Sequence, residues 1–176
     1  LVGQVLVHRA PAGLTAGRIV EVEAYIGEDD PACHAAPGPT PRNAPLYGPP
    51  GIAYVYLNYG LHHLMNVVTE RRGFPAAVLI RALEPAHGLD AMRERRGVDD
   101  SRLLCGGPGR LSQALGIPQA HDGLALDDPP FELLARGTEP EITVGPRIGI
   151  TKATEQPWRY GLAGSRYLSR PMRSSE

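Results

Sequence analysis

The sequence predicts an α+β protein built on a curved, mostly antiparallel sheet, with a protruding β-hairpin and flanking helices. Apolar and polar residues alternate over 18–26 and again over 52–59, and this two-residue period is typical of strands. Gly60 offers a turn after the second segment, and residues 62–69 return as its partner strand. Strong helix signals are fewer than strand signals, so we expect a single α+β domain over residues 1–176.

The first predicted strand, 18–26, has one apolar face and one polar face. The polar face carries Glu21, Glu23 and Tyr25. A carboxylate beside an aromatic residue on such a face belongs either to a functional site or to an ordinary solvated surface. The solvated surface is the commoner case for an arbitrary strand, and Glu21 on the same face weakens any argument from Glu23 alone.

The predicted hairpin over 52–69 is rich in tyrosine. Tyrosine can stack on flat aromatic ligands while its hydroxyl makes hydrogen bonds, but strands also favour it for its β propensity. Tyr59 differs from the others because it lies at the hairpin tip, where a large aromatic side chain is expected only if something covers it. Five of the seven tyrosines fall within 35 residues, namely Tyr25, Tyr47, Tyr54, Tyr56 and Tyr59.

Two further strands and a long loop complete the predicted sheet. We expect a strand over 76–83, with Arg81 among apolar neighbours, and another near 147–151. The proline-rich segment 31–50 reads as a long loop. Long loops inside a compact domain are more often functional than accidental.

Three helices are predicted. Residues 87–96 follow Glu84-Pro85 and carry apolar residues at helical spacing, and residues 108–115 end at Gly116, a typical C-terminal stop. A short third helix is expected over 131–136. The glycine-rich start at 106–110 either binds a phosphate with its backbone N–H groups or is an ordinary helix start.

Composition excludes several classes of protein. The chain has 18 Lys plus Arg against 19 Asp plus Glu, a net charge of -1, so any binding of nucleic acid must rest on local positive charge. Hydrophobic residues make up 42% and charged residues 21%, which fits a soluble globular protein. We see no apolar run of ~20 residues and no signal peptide. Cys33 and Cys105 can form one bridge, but two free thiols in a reducing compartment is the simpler interpretation.

The histidines invite a metal-binding interpretation. His34, His62 and His63, with Cys33, are the candidate ligands, yet their spacing matches no zinc signature. Adjacent residues on a strand point to opposite faces, so His62 and His63 would not face one ion. We therefore expect neither a bound metal nor a cofactor.

Seven short segments occur in order along the chain and, taken together, are highly specific. They are Gly-Arg-Ile-Val-Glu-Val-Glu-Ala-Tyr (17–25), His34, Thr-Pro-Arg-Asn (40–43), Gly-Ile-Ala-Tyr-Val-Tyr-Leu-Asn-Tyr-Gly (51–60), Met-Asn (65–66), Leu-Ile-Arg-Ala-Leu-Glu-Pro (79–85) and Gly-Pro-Gly-Arg-Leu-Ser-Gln-Ala-Leu (107–115). With these segments the chain resembles the alkyladenine (3-methyladenine) DNA glycosylase family from about residue 1 to about residue 170. The resemblance also implies that Leu1 lies inside the family's first helix.

The resemblance implies excision of alkylated or deaminated purines from duplex DNA: 3-methyladenine, 7-methylguanine, hypoxanthine and ethenoadenine. Such an enzyme flips the damaged nucleotide out of the base stack and hydrolyses its N-glycosidic bond. By similarity, Tyr59 would enter the DNA and fill the gap that the nucleotide leaves. The pocket for the flipped base would be formed by Tyr25, His34, Tyr56 and Asn66, with Asn66 crowding the amine of normal guanine.

The same resemblance implies the catalytic residues. Glu23 would be the general base that deprotonates a water, and Arg81 would hold that water and the phosphate of the flipped nucleotide. Glycosylases that also cut the strand use an amine nucleophile, and here only Lys152 and the N-terminus of the chain could serve. No motif of the family points to either amine. We therefore expect a monofunctional, monomeric glycosylase that leaves an abasic site during base excision repair. It would be cytoplasmic and nucleoid-associated in a bacterium or nuclear in a eukaryote.

Two alternatives remain open from the sequence. A nucleic-acid binding module without chemistry would use the same tyrosines and would not need Glu23. A metal-dependent hydrolase would use the histidines and would lose activity in EDTA. Release of a damaged base in a single-turnover assay separates the first from an enzyme, and activity in EDTA excludes the second.

Overall fold

Eight strands form one antiparallel sheet in the computed structural model, which describes residues 1–172. They are β1 (Val5–Ala10), β2 (Gly13–Ile26), β3 (Ala53–Asn58), β4 (His62–Val68), β5 (Ala76–His87), β6 (Phe131–Leu134), β7 (Ile142–Gly145) and β8 (Arg159–Leu162). The strand order is β3-β4-β5-β2-β1-β6. Strand β8 pairs with β2 beyond the end of β1, and β7 pairs with β8. This confirms the predicted α+β class with an antiparallel sheet. Residues 173–176 of the expected domain lie outside the described residues.

The two faces of the sheet are covered by different kinds of structure. Helices α1 (Leu89–Arg96), α2 (Ser101–Leu104) and α3 (Pro108–Leu115) enclose the main core on one face. The other face is covered by the loop 27–52, which contains one turn of 3-10 helix, Ala44–Tyr47. Buried side chains from that loop and from the sheet form a second, smaller cluster there, consisting of Cys33, Ala35, Leu46, Tyr54, Val68 and Ala77. The helices thus leave one face of the sheet free for the loop.

Most elements with a clear local period are confirmed. Strand β2 contains the predicted segment 18–26, β5 contains 76–83, and β3 with β4 forms the predicted hairpin. Helix α3 covers the predicted residues and ends at Gly116, whose φ of 72° is the left-handed conformation that favours glycine.

Two predicted elements are wrong. Residues 131–134 form strand β6, not a helix, because they pair with the first four residues of β1. A short apolar segment cannot be assigned to helix or strand from its own pattern. The strand expected near 147–151 is a loop, and the chain instead pairs on either side of it, as β7 and β8.

Two boundaries at the chain's helices also differ from expectation. The helix predicted from residue 87 begins at Leu89, because β5 continues to His87 and pairs with Ala16 of β2. Gly88 then turns the chain with a φ of 74°, and a Cβ there would lie 2.4 Å from the carbonyl oxygen of Leu14. At the start of the chain, residues 1–4 are not helical and β1 follows directly, so the expectation that Leu1 lies inside a helix is wrong.

Three further observations concern the cysteines, the arginines of α1 and the length of the helices. Both cysteines are buried free thiols, one in each apolar cluster. The arginines of α1 are engaged in the fold, since Arg95 donates to the carbonyl oxygen of Ala114 and Arg96 donates to that of Leu104. In the described part of the chain, every helix is too short or too polar to span a membrane.

Candidate functional site

The register of the sheet places five residues in one row across five strands. Tyr54 of β3 pairs with Asn66 of β4, and Asn66 pairs with Leu79 of β5. Leu79 pairs with Glu23 of β2, and Glu23 pairs with Arg159 of β8. Paired residues in an antiparallel sheet share a face. The row therefore lies on the face covered by the loop 27–52, and it brings Glu23 and Asn66 to one side of the sheet as predicted.

A β-bulge directs Arg81 toward this row. Glu21 and Val22 of β2 pair with the two neighbours of Arg81, so Arg81 itself is the extra residue of β5. Bulges of this kind re-aim a side chain. The guanidinium lies between two carboxylates: its Nε is 3.1 Å from Oε1 of Glu21, and its Nη1 is 3.4 Å from Oε2 of Glu23.

Glu23 is fully buried, which excludes the solvated-surface interpretation of its strand. The Tyr25 hydroxyl donates to Oε2 of Glu23 at 2.9 Å, and the backbone N–H of Ile148 donates to Oε1 at 2.7 Å. Burial raises the pKa of the Glu23 carboxyl above its ordinary value, although Arg81 and these two hydrogen bonds act in the opposite direction. A carboxylate with a raised pKa beside an aromatic cleft is a typical candidate for proton transfer.

Three rings form an aromatic corner beside the carboxylate. The His34 ring lies against Tyr56 with centroids 4.4 Å apart, and Tyr54 lies 5.3 Å from Tyr56. Nδ1 of His34 makes a 3.0 Å hydrogen bond with the Tyr54 hydroxyl. Burial lowers the pKa of His34, so the neutral imidazole is favoured, and burial raises the pKa of Tyr56 to about 12.

The loop 27–52 holds His34 in place through one buried asparagine. The Asn43 side chain donates to the carbonyl oxygens of His34 at 2.9 Å and Gly38 at 3.0 Å, and it accepts from the backbone N–H of Thr40 at 2.7 Å. Arg42 donates to the carbonyl oxygen of Leu57 at 3.1 Å. The segment predicted as a long loop over 31–50 is therefore an ordered wall of the cavity.

A buried ion pair that the sequence analysis missed supports the same wall. Arg147 donates two hydrogen bonds to Asp30, at 2.6 Å and 2.9 Å, and both side chains are fully buried. The Arg147 guanidinium also lies 4.6 Å from the Tyr25 ring and 5.0 Å from the Trp158 ring. No motif or spacing links Asp30 to Arg147, because 117 positions separate them. Arg147 thus fixes one face of Tyr25.

These groups surround a cavity of about 540 Å³, a volume typical of small-molecule sites. Glu23 lies behind the cavity wall, where it contacts Tyr25 and Arg81, two residues that line the cavity. The single lysine, Lys152, is exposed at its rim. The other predicted site residues that line it are His34, Tyr56, Tyr59 and Asn66.

The hairpin tip carries an exposed aromatic residue. Tyr59 is 91% exposed and adopts a φ of 49°, which is unusual for a residue with a side chain. Gly60 follows with a φ of 68°, and the N–H of Leu61 closes the turn on the carbonyl oxygen of Asn58. The tip is therefore a tight turn that presents Tyr59 to solvent at the mouth of the cavity.

The remaining sequence candidates show no metal or phosphate geometry. Within residues 1–172, no three His, Cys, Asp or Glu side chains are grouped to hold a metal ion. At the start of α3, Arg110 donates back to the carbonyl oxygen of Gly106 at 3.3 Å. Gly109 packs closely on His62, since a Cβ there would lie 2.8 Å from the His62 side chain. These contacts favour the ordinary helix start over a phosphate site.

Comparison with known proteins gives one consistent result. The model of a family described as methylpurine-DNA glycosylase (MPG) matches residues 1–166. A protein of Rhodopseudomonas palustris (strain HaA2) named "Putative 3-methyladenine DNA glycosylase" is 60% identical over 157 residues, covering 89% of this chain and 78% of the relative. Proteins with the same name occur in Nitrosospira multiformis, at 54% identity over 91% of this chain and 82% of the relative, and in Rhizobium meliloti (strain 1021), at 55% over 88% and 81%. The family model and the relatives each span most of the chain, and the residues matched by the family model include every residue of the cavity wall named above.

Proposed function

This chain belongs to the methylpurine-DNA glycosylase family, and we propose that it flips alkylated or deaminated purines out of duplex DNA and hydrolyses their N-glycosidic bond. As a member of this family it is a DNA glycosylase, an N-glycosyl hydrolase that acts in DNA repair. The observation that carries the finer proposal is the buried Glu23, with its raised pKa, joined to Arg81 and Tyr25 at the wall of an aromatic cavity. We propose that the enzyme acts as a monomer.

The cavity suits a flat, electron-poor base. Tyr25 and the His34–Tyr56 pair offer ring faces, and an alkylated purine that carries positive charge is attracted to such faces by roughly 0.5–2 kcal/mol per contact. Asn66 lies in the floor between them and donates to the carbonyl oxygen of Tyr54 at 3.1 Å, which fixes its side chain. We assign to Asn66 the exclusion of the exocyclic amine of normal guanine.

Glu23 and Arg81 supply the proposed chemistry. A water held by Arg81 gives its proton to the Glu23 carboxylate while its oxygen forms a bond to the sugar C1′. The bond between C1′ and the base breaks, and its electron pair leaves with the base. The carboxylate also stabilises the positive charge that develops on the sugar. A cationic base needs no further help to leave, whereas a neutral one needs a proton from a general acid.

We expect a panel of damaged duplexes to show base release without metal. Duplexes that carry 3-methyladenine, 7-methylguanine, hypoxanthine or ethenoadenine are incubated with excess enzyme in EDTA, and released base and abasic sites are counted before and after alkali. The expected result is a free purine and a strand that breaks only in alkali, because no amine attack accompanies hydrolysis. Undamaged duplex is the control.

Three other outcomes of this assay would each indicate a different kind of activity. Tight binding without base release would indicate a binding module. Activity that EDTA removes would indicate a metal-dependent hydrolase. Strand breaks without alkali, together with borohydride trapping on Lys152 at the cavity rim, would show a bifunctional enzyme and refute the monofunctional proposal.

Replacing Tyr59 with alanine should weaken binding to a lesion duplex by about tenfold, since stacking an aromatic side chain on a base contributes roughly 1–3 kcal/mol. Tyr59 is 91% exposed, so its removal should leave the folded state unchanged. Fluorescence of 2-aminopurine beside the lesion reports flipping, and Kd reports binding. Tyr59→Phe keeps the ring and is the matched control. Equal flipping by Tyr59→Ala and the wild type would show that the ring does not enter the DNA.

A further inference from the structure

Glu21 is a second buried carboxylate at the site, and the proposed mechanism does not use it. The side chain is fully buried. Its Oε1 accepts from Nε of Arg81 at 3.1 Å, Nε of Arg159 at 2.8 Å and Oγ of Ser169 at 2.8 Å, while its Oε2 accepts from the backbone N–H of Ser169 at 2.5 Å. Four hydrogen bonds on one buried carboxylate fix both its position and its orientation.

The end of the described chain closes this cluster. Ser169 lies 148 positions from Glu21, and its Oγ also lies 3.4 Å from Nη2 of Arg81. Arg159 donates to the carbonyl oxygens of Arg170 and Pro171. Glu21 therefore holds Arg81 from one side while the segment 169–171 holds Glu21 and Arg159 from the other.

As a consequence, Arg81 divides its hydrogen bonds between the two carboxylates. Its Nε binds Glu21, and its Nη1 reaches Glu23 only at 3.4 Å, a long and single contact. A complete pair in the same protein is different: Arg147 donates to both oxygens of Asp30, at 2.6 Å and 2.9 Å. Burial acts against the ionised form of Asp30, but the hydrogen bonds from Arg147 and from backbone N–H groups hold its pKa below the ordinary value. The pKa of Glu23, by contrast, is raised by burial.

We propose that Glu21 is a positioning residue that holds the Arg81 guanidinium by its Nε edge. In this position Arg81 makes only one contact with Glu23, and not a two-bond ion pair of the kind that Arg147 makes with Asp30. This proposal rests on the proposed function, because it assigns Glu21 a role in keeping Glu23 a base. The negative charge of Glu21 balances the positive charge of Arg81, so the carboxylate of Glu23 keeps its affinity for a proton. Arg81 itself lines the cavity, so this anchoring also fixes one charged group of the cavity wall.

The pH dependence of Glu23 depends on every charged or titratable group that faces it. These groups are Tyr25 and Glu21 on β2, Arg81 on β5, Tyr56 on β3, Arg147 on the loop before Ile148, and Arg159 on β8. Of these, Arg81 and Arg159 are the two charged groups that pair with Glu21, and the substitution Glu21→Gln would remove the charge that both share. Gln keeps the shape and one acceptor but loses the charge, so the positive charge of Arg81 would fall on Glu23.

The test is the pH profile of single-turnover base release by Glu21→Gln. Because an opposite charge within ~4–6 Å lowers a carboxyl pKa by 1–3 units, we expect the acid limb to move to lower pH by about one unit. The rate on the plateau should fall by up to about tenfold, since a base weaker by about one pKa unit removes the proton less readily. Glu84→Gln is the matched control: it removes a carboxylate that pairs with Arg18 on the same two strands, away from the cavity, and should leave both the limb and the plateau unchanged.

A second readout separates this proposal from the proposed function. A 13C NMR titration of the Glu23 carboxyl measures its pKa without catalysis, and that pKa should be lower in Glu21→Gln than in the wild type. A folded Glu21→Gln protein with the wild-type pKa of Glu23 and the wild-type limb would overturn the positioning role. A wild type that releases no base would refute the proposed function and leave the NMR result to decide the role of Glu21.

A milder variant covers the case in which Glu21→Gln does not fold. Ser169→Ala removes the 2.8 Å hydrogen bond to Glu21 and keeps the backbone N–H. It should move the limb and the pKa of Glu23 in the same direction by a smaller amount. An unchanged limb and an unchanged pKa in this variant would overturn the proposal.

Discussion

Replacing Glu23 with glutamine should abolish base release while DNA binding stays close to that of the wild type. The amide has the same shape but cannot take a proton from water, and loss of a general base typically lowers a rate by about 10²–10⁴-fold. Both Glu23 oxygens accept hydrogen bonds, from Tyr25, Arg81 and Ile148. The amide NH₂ must therefore face one donor, at a cost of about 1–3 kcal/mol in stability.

Single-turnover release from a hypoxanthine duplex and Kd for the same duplex measure the two effects separately. Thermal unfolding checks that the variant is folded at the assay temperature. In the wild type, release should rise with pH through the pKa of Glu23, which burial raises above 4.5, because only the ionised carboxylate accepts a proton. The variant should lack this limb. Release within tenfold of the wild-type rate, with the limb retained, would show that another group is the base.

The second large effect is on folding: Asp30→Ala should lower the free energy of unfolding by about 3–5 kcal/mol. The substitution leaves the Arg147 charge without its partner in a fully buried position. A single buried charge is costly because the low-dielectric interior does not solvate it. Urea unfolding at pH 7 measures the change. Glu132→Ala is the matched control, since it removes the exposed pair with Arg9 and should change stability by only ~0–1 kcal/mol.

The difference in the free energy of unfolding between wild type and Asp30→Ala should depend on pH in a definite direction. The pKa of Asp30 is lower in the folded protein than its ordinary value of 3.8. The ion pair therefore contributes stability above that value, and this contribution is lost as the pH falls through the folded pKa. The gap in stability between wild type and Asp30→Ala should be constant near neutral pH and narrow below about pH 4. A gap no larger than that of Glu132→Ala at pH 7 would mean that the pair is not buried in solution.

The same substitution links stability to the site. Arg147 packs on the Tyr25 ring, whose hydroxyl binds Glu23. If the aromatic wall depends on this contact, base release by Asp30→Ala should fall even where the protein is fully folded. The ion pair would then hold one side of the cavity as well as the fold.

Local pattern alone determined a large part of this protein. The alternation over 18–26 placed Glu21, Glu23 and Tyr25 on one face, and the same period with Gly60 gave the hairpin and its exposed Tyr59. Helix α3 with its stop at Gly116 followed in the same way. These features depend on residues a few positions apart, so the chain itself records them.

The tertiary structure alone decided which distant groups meet. The segment 131–134 became a strand because β1 offered it a partner, against its own weak pattern. The bulge that aims Arg81, the Asp30–Arg147 pair and the closure of Ser169 over Glu21 each join positions 58 to 148 apart. Contacts at such separation arise from sheet register and burial, which no local period encodes. The sequence thus identified Glu23 and the aromatic residues as candidates, and the packing of the sheet determined the electrostatic environment of Glu23 and the geometry of the rings.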